Sequence, residues 1–195
     1  MDLFGNAMEV AVEKDEVVEE VPLEAKDITN SDHKYHFVQT AEERAKLITD
    51  LSKQKSFCFD TETTGINPFE AEIVGMSVAY KEGEAYYIPF SDDFDATKEK
   101  LQKFSEIFSD TSKLKIAQNL KYDLHILKNY DIEIAEPIFD TMLSHFLIDA
   151  DSKHGLDFLG QRYLNYDTIK YSDLVGKGVR KISIRDVPID KLKEY

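Results

Sequence analysis

Residues 57–65, FCFDTETTG, decide how this chain is read. Three apolar residues run into Asp60, Thr61 and Glu62, and a threonine pair and Gly65 then close the stretch. The apolar run predicts a buried strand over 56–60, and Gly65 and Pro68 mark the following TTGINPFEAE as loop. A strand alternates its side chains, so Asp60 and Glu62 share one face. Two carboxylates held that close repel unless a cation lies between them, and hard oxygen donors suit Mg²⁺ or Mn²⁺. D-x-E also recurs by chance, and on spacing alone a solvated strand end is the plainer reading.

The flanking segments predict an α/β domain. HFVQ (36–39) reads as a short strand. AEERAKLITDL (41–51) has helical apolar spacing, with Thr40 and Glu43 forming a capping box. IVGMSVAY and EAYYIPF are strands joined by KEG, a hairpin signal. TKEKLQKFSEIF (97–108) places Leu101, Phe104, Ile107 and Phe108 on one face of a single helix. KLKIAQ is a strand and NLKYDLHILKNY a helix. FDTMLSHFLID and GLDFLGQRYL are two further helices. Residues 171–186 read as irregular loop, and VPIDKLKEY begins a last helix with Pro188 in its first turn. The order gives a mixed central sheet flanked by helices.

A second polar group lies in QNLKYD, 118–123. Asn119 stands at the N-cap position after a strand, and Asp123 lies four residues on, on the same helix face. If strands 56–60 and 113–118 are parallel neighbours, both deliver acids to one sheet edge. Taken alone, Asn119 as a cap and Asp123 as a dipole partner are the plainer roles.

Composition sets limits. The chain has 195 residues, 42% hydrophobic, with a net charge of −14. Residues 1–32 hold −8 of that charge and read as an acidic, disordered linker ahead of a domain over 33–195. Net acidity disfavours strong stand-alone DNA binding. No apolar run reaches the roughly 20 residues that span a bilayer. A single cysteine, Cys58, excludes an internal disulfide, and its place in the FCF run makes it a core residue. Phe104, Phe108, Phe139, Phe146 and Phe158 are further core candidates. The five histidines (33, 36, 125, 145 and 154) show no metal-ligand spacing. The densest basic cluster is Lys177, Arg180, Lys181 and Arg185. These features point to a cytosolic protein.

FDTET after a buried strand, QNLKYD about sixty residues later, and then FDTMLSHFLID, GLDFLGQRYL and YSDLVGKG together resemble one family, the 3′-5′ proofreading exonuclease domain of bacterial DNA polymerase I. The resemblance runs from about residue 36 to the C-terminus. It implies a ribonuclease H-like fold of the DEDD superfamily and a bacterial, cytoplasmic setting. It implies two divalent metal ions, Mg²⁺ with Mn²⁺ or Zn²⁺ as alternatives. It implies a single-stranded 3′ end of DNA as partner, a polymerase domain in cis, no membrane, and a monomer. By resemblance Asp60, Glu62 and Asp123 are catalytic metal ligands, and Tyr195 orients the attacking water. Thr61, Ile66, Asn119, Tyr122 and Tyr171 then contact substrate, with Ile66 wedged at the terminal bases. The family's last motif is Tyr-x3-Asp, so its final Asp is expected four residues past Tyr195, which leaves the domain incomplete and weakly active or inactive as it stands. Two other readings stay open: an inactive scaffold for an attached polymerase domain, and a ribonuclease D-like RNA exonuclease.

Overall fold

The computed structural model describes residues 25–195. A six-stranded mixed sheet has the order β1–β4–β3–β2–β5–β6. Its strands are β1 (Lys34–Phe37), β2 (Ser56–Thr63), β3 (Ile73–Lys81), β4 (Glu84–Pro89), β5 (Leu114–Ala117) and β6 (Ile138–Asp140). The helices are α1 (Ala41–Ser52), α2 (Phe94–Gln102), α3 (Ser105–Ser109), α4 (Leu120–Asn129), α5 (Thr141–Ile148), α6 (Leu156–Leu164), α7 (Tyr171–Val175) and α8 (Ile189–Leu192). β2, β3 and β4 form an antiparallel meander; β5 then runs parallel to β2, and β6 parallel to β5. The expected mixed α/β architecture is therefore the one observed.

The two faces of β2 have different fates. Phe57, Phe59 and Thr61 point to one side and are buried. There the Phe108 ring of α3 meets Phe57 and Phe59 edge-on, with centroids 5.8 and 5.0 Å away. Leu47 and Leu51 of α1 and Leu120, Ile126 and Leu127 of α4 complete this core. The capping box of α1 forms: Glu43 N–H donates to Thr40 Oγ1, and the Glu43 carboxylate accepts from the Thr40 N–H.

On the other face, Val74 and Tyr87 pack against Val175, Ile184, Val187 and Leu192, so the C-terminal segment wraps that side of the sheet. The Tyr87 ring lies directly over Gly75, where an added Cβ would sit 2.0 Å from the Tyr87 hydroxyl. Gly75→Ala must therefore push the ring off the sheet, and overpacking of this kind costs about 1–3 kcal/mol. The expected result is a lower urea midpoint at an unchanged slope. A midpoint equal to that of the unaltered protein would show that the ring does not hold this position.

Several sequence expectations are corrected. The helix expected over 97–108 is two helices, because the chain turns at Lys103–Phe104, where Phe104 N–H bonds to Leu101 O and the Ser105 hydroxyl takes the Gln102 carbonyl. Phe104 is buried all the same. The helix expected from Phe139 starts at Thr141; Ile138–Asp140 is instead the edge strand β6, registered against Lys115–Ala117. Residues 171–186 are not featureless loop, since they hold α7 and two 3₁₀ turns. Phe139 and Phe146 are exposed rather than core. Cys58 is exposed, because it lies on the Asp60 side of β2 and not on the Phe57 side.

The acidic segment expected over 1–32 lies, up to residue 24, outside the described residues. Over 25–32, Lys26 pairs with Tyr166, its N–H donating to Asn165 O (2.8 Å) and its carbonyl accepting from Asp167 N–H (2.7 Å). Among the described residues no helix is long and apolar enough to cross a membrane.

Candidate active site

β2 and β5 are parallel neighbours, but their pairing ends at Cys58 and Ile116. Beyond that point the β5 side of β2 is open, and the chain leaving β5 turns into α4. Asp123, in the first turn of α4, fills the gap. Its Oδ1 accepts from the Thr61 N–H at 3.0 Å and from the Thr61 hydroxyl at 2.5 Å. A helix carboxylate thus takes the place of a strand carbonyl, which fixes Asp123 beside the strand that carries Asp60 and Glu62.

The three acids are electrostatically coupled. Burial pushes the Asp60 carboxyl up to about 7, with Glu62 adding to it. Burial and then Asp123 raise Glu62 to about 7. Burial and then Asp60 raise Asp123 to about 7, against the two Thr61 hydrogen bonds. Each acid is raised by another of the three, so they form one mutually repelling cluster. Asp60 and Glu62 floor a cleft of about 440 Å³, whose walls include Asp157, Thr168 and Tyr195. The cleft is open enough that Asp60 meets solvent while surrounded by protein.

Tyr195 closes one wall. Burial, then Glu62 and Asp60, hold its phenol above the ordinary tyrosine range, so it stays a hydrogen-bond donor at neutral pH. Tyr171 lies with its ring centroid 6.5 Å from that of Tyr195, and Lys181 Nζ sits 5.4 Å from the Tyr171 ring. Ile66 is 97% exposed on the loop that leaves β2. The Tyr122 hydroxyl is tied to Gly65 O and to Thr63 Oγ1, so it braces that loop. Thr61 is buried on the α4 side of β2, where it holds Asp123. Arg185, expected in a basic cluster, is engaged by Glu72 Oε2 (2.9 Å) and Ile73 O (3.3 Å).

Asn119 differs from the sequence expectation. Its backbone is left-handed (φ 57°) and its side chain makes no cap. The cap is supplied by Asp140, whose two carboxylate oxygens accept from the Asn119 N–H (3.1 Å) and the Leu120 N–H (3.0 Å). Asp140 Oδ1 also accepts from the Met142 and Leu143 N–H groups, capping α5. One carboxylate therefore starts two helices, one of which carries Asp123. Sequence reading did not single out Asp140; an acid just before an apolar helical run was the available signal for its α5 role. Two of the five histidines also meet: His145 Nδ1 lies 2.7 Å from His154 Nδ1.

The donor chemistry fits hard divalent cations. Asp60, Glu62 and Asp123 offer carboxylate oxygens only, and the other oxygen of Asp123 is left uncommitted. Among the described residues no group of three or more His, Cys, Asp and Glu side chains is arranged to hold a metal ion as it stands.

A 3′-5′ exonuclease family matches residues 35–195. Over 147 residues the chain is 41% identical to DNA polymerase I of Borreliella burgdorferi, a match covering 74% of this chain and 16% of that protein. It is 34% identical over 154 residues to DNA polymerase I of Pseudomonas aeruginosa, covering 74% and 17%. The chain thus spans about a sixth of the length of these curated relatives. Among solved structures, the catalytic core of RRP6 from Trypanosoma brucei superposes with a TM-score of 0.61 at 16% identity, over 81% of this chain and 41% of that one. Escherichia coli RNase D gives 0.58 at 17% identity, over 72% and 36%. Mg²⁺-bound NrnC of Brucella melitensis gives 0.54 at 22%, over 73% and 66%. These structural likenesses carry the fold.

Proposed function

The chain belongs to the 3′-5′ exonuclease family of DNA polymerase I, and on that premise we propose that it hydrolyses the 3′-terminal phosphodiester of single-stranded DNA and releases nucleoside monophosphates. The observation that carries this reading is Asp60 and Glu62 on the floor of a cleft walled by Tyr195, with the buried Asp123 fixed to Thr61 between them and electrostatically coupled to both. Two divalent ions, Mg²⁺ with Mn²⁺ or Zn²⁺ as alternatives, would be held by these three carboxylates together with the scissile phosphate; when bound they ionise the attacking water and neutralise the charge that builds on the phosphate.

The chain's own residues have separate tasks in this proposal. Asp60 and Glu62 face the phosphate from one strand, and Glu62 receives the terminal 3′ hydroxyl. Asp123 is kept in place by Thr61. Tyr195, held protonated, donates to the attacking water and fixes its line of approach. Ile66 wedges the terminal base, and Tyr171 packs against the sugar–base edge. Asn119 and Tyr122 act on the substrate by shaping the loop beside it.

The domain is proposed to continue past Tyr195, with its fourth acid four residues on. The acidic stretch ahead of residue 25 is proposed to be a linker; from Lys26 on, the chain is bonded to the domain. The monomeric state, the bacterial cytoplasm and the polymerase domain in cis belong to the same proposal.

The test is digestion of a 5′-labelled single-stranded oligonucleotide with Mg²⁺ or Mn²⁺. It compares this chain, the chain extended through the expected acid, and the extended chain with Asp60→Ala. Stepwise shortening from the 3′ end in the extended protein, lost in the Asp60→Ala variant, is the expected result. A folded extended protein that cleaves nothing would favour the scaffold reading instead. Faster cleavage of RNA than of DNA would favour the ribonuclease D-like reading, to which the solved structures are akin in fold.

A further inference from the structure

We propose that the outer face of α4, together with the loop 64–71, is a track for the single strand upstream of its 3′ end, with Phe69 stacking a base and Lys121 and Lys128 holding phosphates. This inference rests on the DNA exonuclease reading and adds a binding surface to it.

Phe69 is 74% exposed, an unusual state for a large aromatic ring. It is not a loose side chain. The Asn67 side chain accepts from the Phe69 N–H (3.2 Å), and the Asn67 carbonyl accepts from the Glu70 and Ala71 N–H groups. Asn129 Nδ2 donates to Pro68 O at 2.8 Å, and the Tyr122 hydroxyl donates to Gly65 O. The loop is thus bonded to both ends of α4, and it presents Phe69 and Ile66 to solvent on a fixed frame. Behind Phe69 lies the His125 ring, with centroids 5.2 Å apart.

His125 is flanked on its own helix face by Lys121 and Lys128, four residues before and three after. Both lysines are exposed and, among the described residues, neither has a charge partner. In a chain of net charge −14, a face bearing two free lysines and an aromatic ring between them stands out. Seven helical residues span about 10 Å, or roughly three nucleotides at stacked spacing. An aromatic platform between phosphate contacts is how proteins hold single strands without reading their sequence. The loop leaves β2 just past Glu62 and carries Ile66 and then Phe69 across to α4, where Tyr122 and Asn129 hold it, so the track leads from the carboxylate strand to the outer face of α4.

The test is fluorescence anisotropy of labelled dT8 and of the dinucleotide dT2, in Ca²⁺ to avoid cleavage, against the full chain and its variants. Phe69→Ala is expected to weaken dT8 about tenfold, and Phe69→Trp to restore it. The dinucleotide, too short to reach the ring, is expected to bind both forms alike. Lys121→Gln with Lys128→Gln is expected to flatten the salt dependence of dT8 binding by about 1.4 in log–log slope, or about 0.7 per lost phosphate contact. If dT8 binds the Phe69→Ala and double-lysine variants as it binds the unaltered chain, the track is overturned while the exonuclease reading stands. If the unaltered chain binds neither oligonucleotide, the track is overturned, while the digestion assay of the extended chain decides the exonuclease reading separately.

Discussion

Asp60→Asn is expected to remove hydrolysis and, in the same protein without metal, to raise the melting temperature. The loss of activity follows from taking one of the two carboxylates from the cleft floor and from the coupled group they form with Asp123. It is expected to be on the order of 10³-fold or more in kcat, the size of losing a principal electrostatic contact to a reacting phosphate. The gain in stability follows from the charge cluster. Asp60, Glu62 and Asp123 each have a folded-state pKa of about 7, against ordinary values of 3.8, 4.5 and 3.8. A carboxyl raised in this way binds its proton more tightly in the folded than in the unfolded chain. Folding is thus helped most below about pH 4. That help is lost as pH rises from about 4 to about 7, and the penalty persists above.

At pH 8 without metal, the three ionised groups repel one another in a site that shields them poorly. Replacing one by an uncharged amide of the same shape relieves about 1–2 kcal/mol, after allowing for water in the open cleft. That corresponds to roughly 3–6 °C for a domain of this size. At pH 4 the same substitution is expected to gain only a small part of this, because the acid is protonated in the folded chain and only about half ionised in the unfolded one. Mg²⁺ is expected to raise the melting temperature of the unaltered protein at pH 8 and to do so much less in the variant, since a ligand of the folded state stabilises by mass action. Thermal unfolding in EDTA at pH 8 and pH 4, then in Mg²⁺ at pH 8, reads all three effects. A variant that melts lower than the unaltered chain at pH 8 in EDTA would show that the three carboxylates do not burden the fold.

That trade-off was visible in FDTET because strand alternation is a local rule. Residues 60 and 62 share a face whatever the rest of the chain does. The same rule, carried two residues back, puts Cys58 on the carboxylate face, yet an unbroken run of three apolar residues reads as buried on both sides. The parity was right and the hydrophobicity misleading, because this face is bare beside the cleft. The two-helix break at Lys103–Phe104 was not legible for a similar reason. Leu101, Phe104, Ile107 and Phe108 are all buried, as one continuous helix would bury them, but two shorter helices reach the same core. The position of Asp123 was legible only as a spacing. What holds it, the Thr61 N–H at the open edge of β2, depends on β5 ending where it does. Asn119 read as a cap because its residue type and place fit one, and nothing local reveals that a carboxylate 21 residues later performs the capping.

That distant carboxylate leads to the second large expectation. Asp140→Ala is expected to lower the stability of the whole domain and to cut activity without touching the cleft. Asp140 accepts four backbone N–H groups, two at the start of α4 and two at the start of α5, at 2.9–3.2 Å. The first N–H groups of a helix have no partner within it, and losing a side-chain cap costs typically about 1 kcal/mol per helix, up to about 2. Two helices capped by one residue make the expected loss about 2–4 kcal/mol. Asp140→Asn keeps one acceptor oxygen. Since Oδ1 serves α5 and Asn119 while Oδ2 serves Leu120, the amide can retain most of the bonds, and it is expected to lose less than half as much. The consequence for activity runs through α4. Asp123 lies in its first turn and is aimed by the helix start as much as by Thr61. A frayed start lets the carboxylate leave Thr61 and withdraw from Asp60 and Glu62. Urea unfolding of both variants, beside the kcat of the extended protein, separates the two effects. An Asp140→Ala protein within about 0.5 kcal/mol of the unaltered one would show that water replaces the carboxylate at both helix starts. A stable protein with reduced kcat would instead mean that Asp140 matters for aiming Asp123 alone.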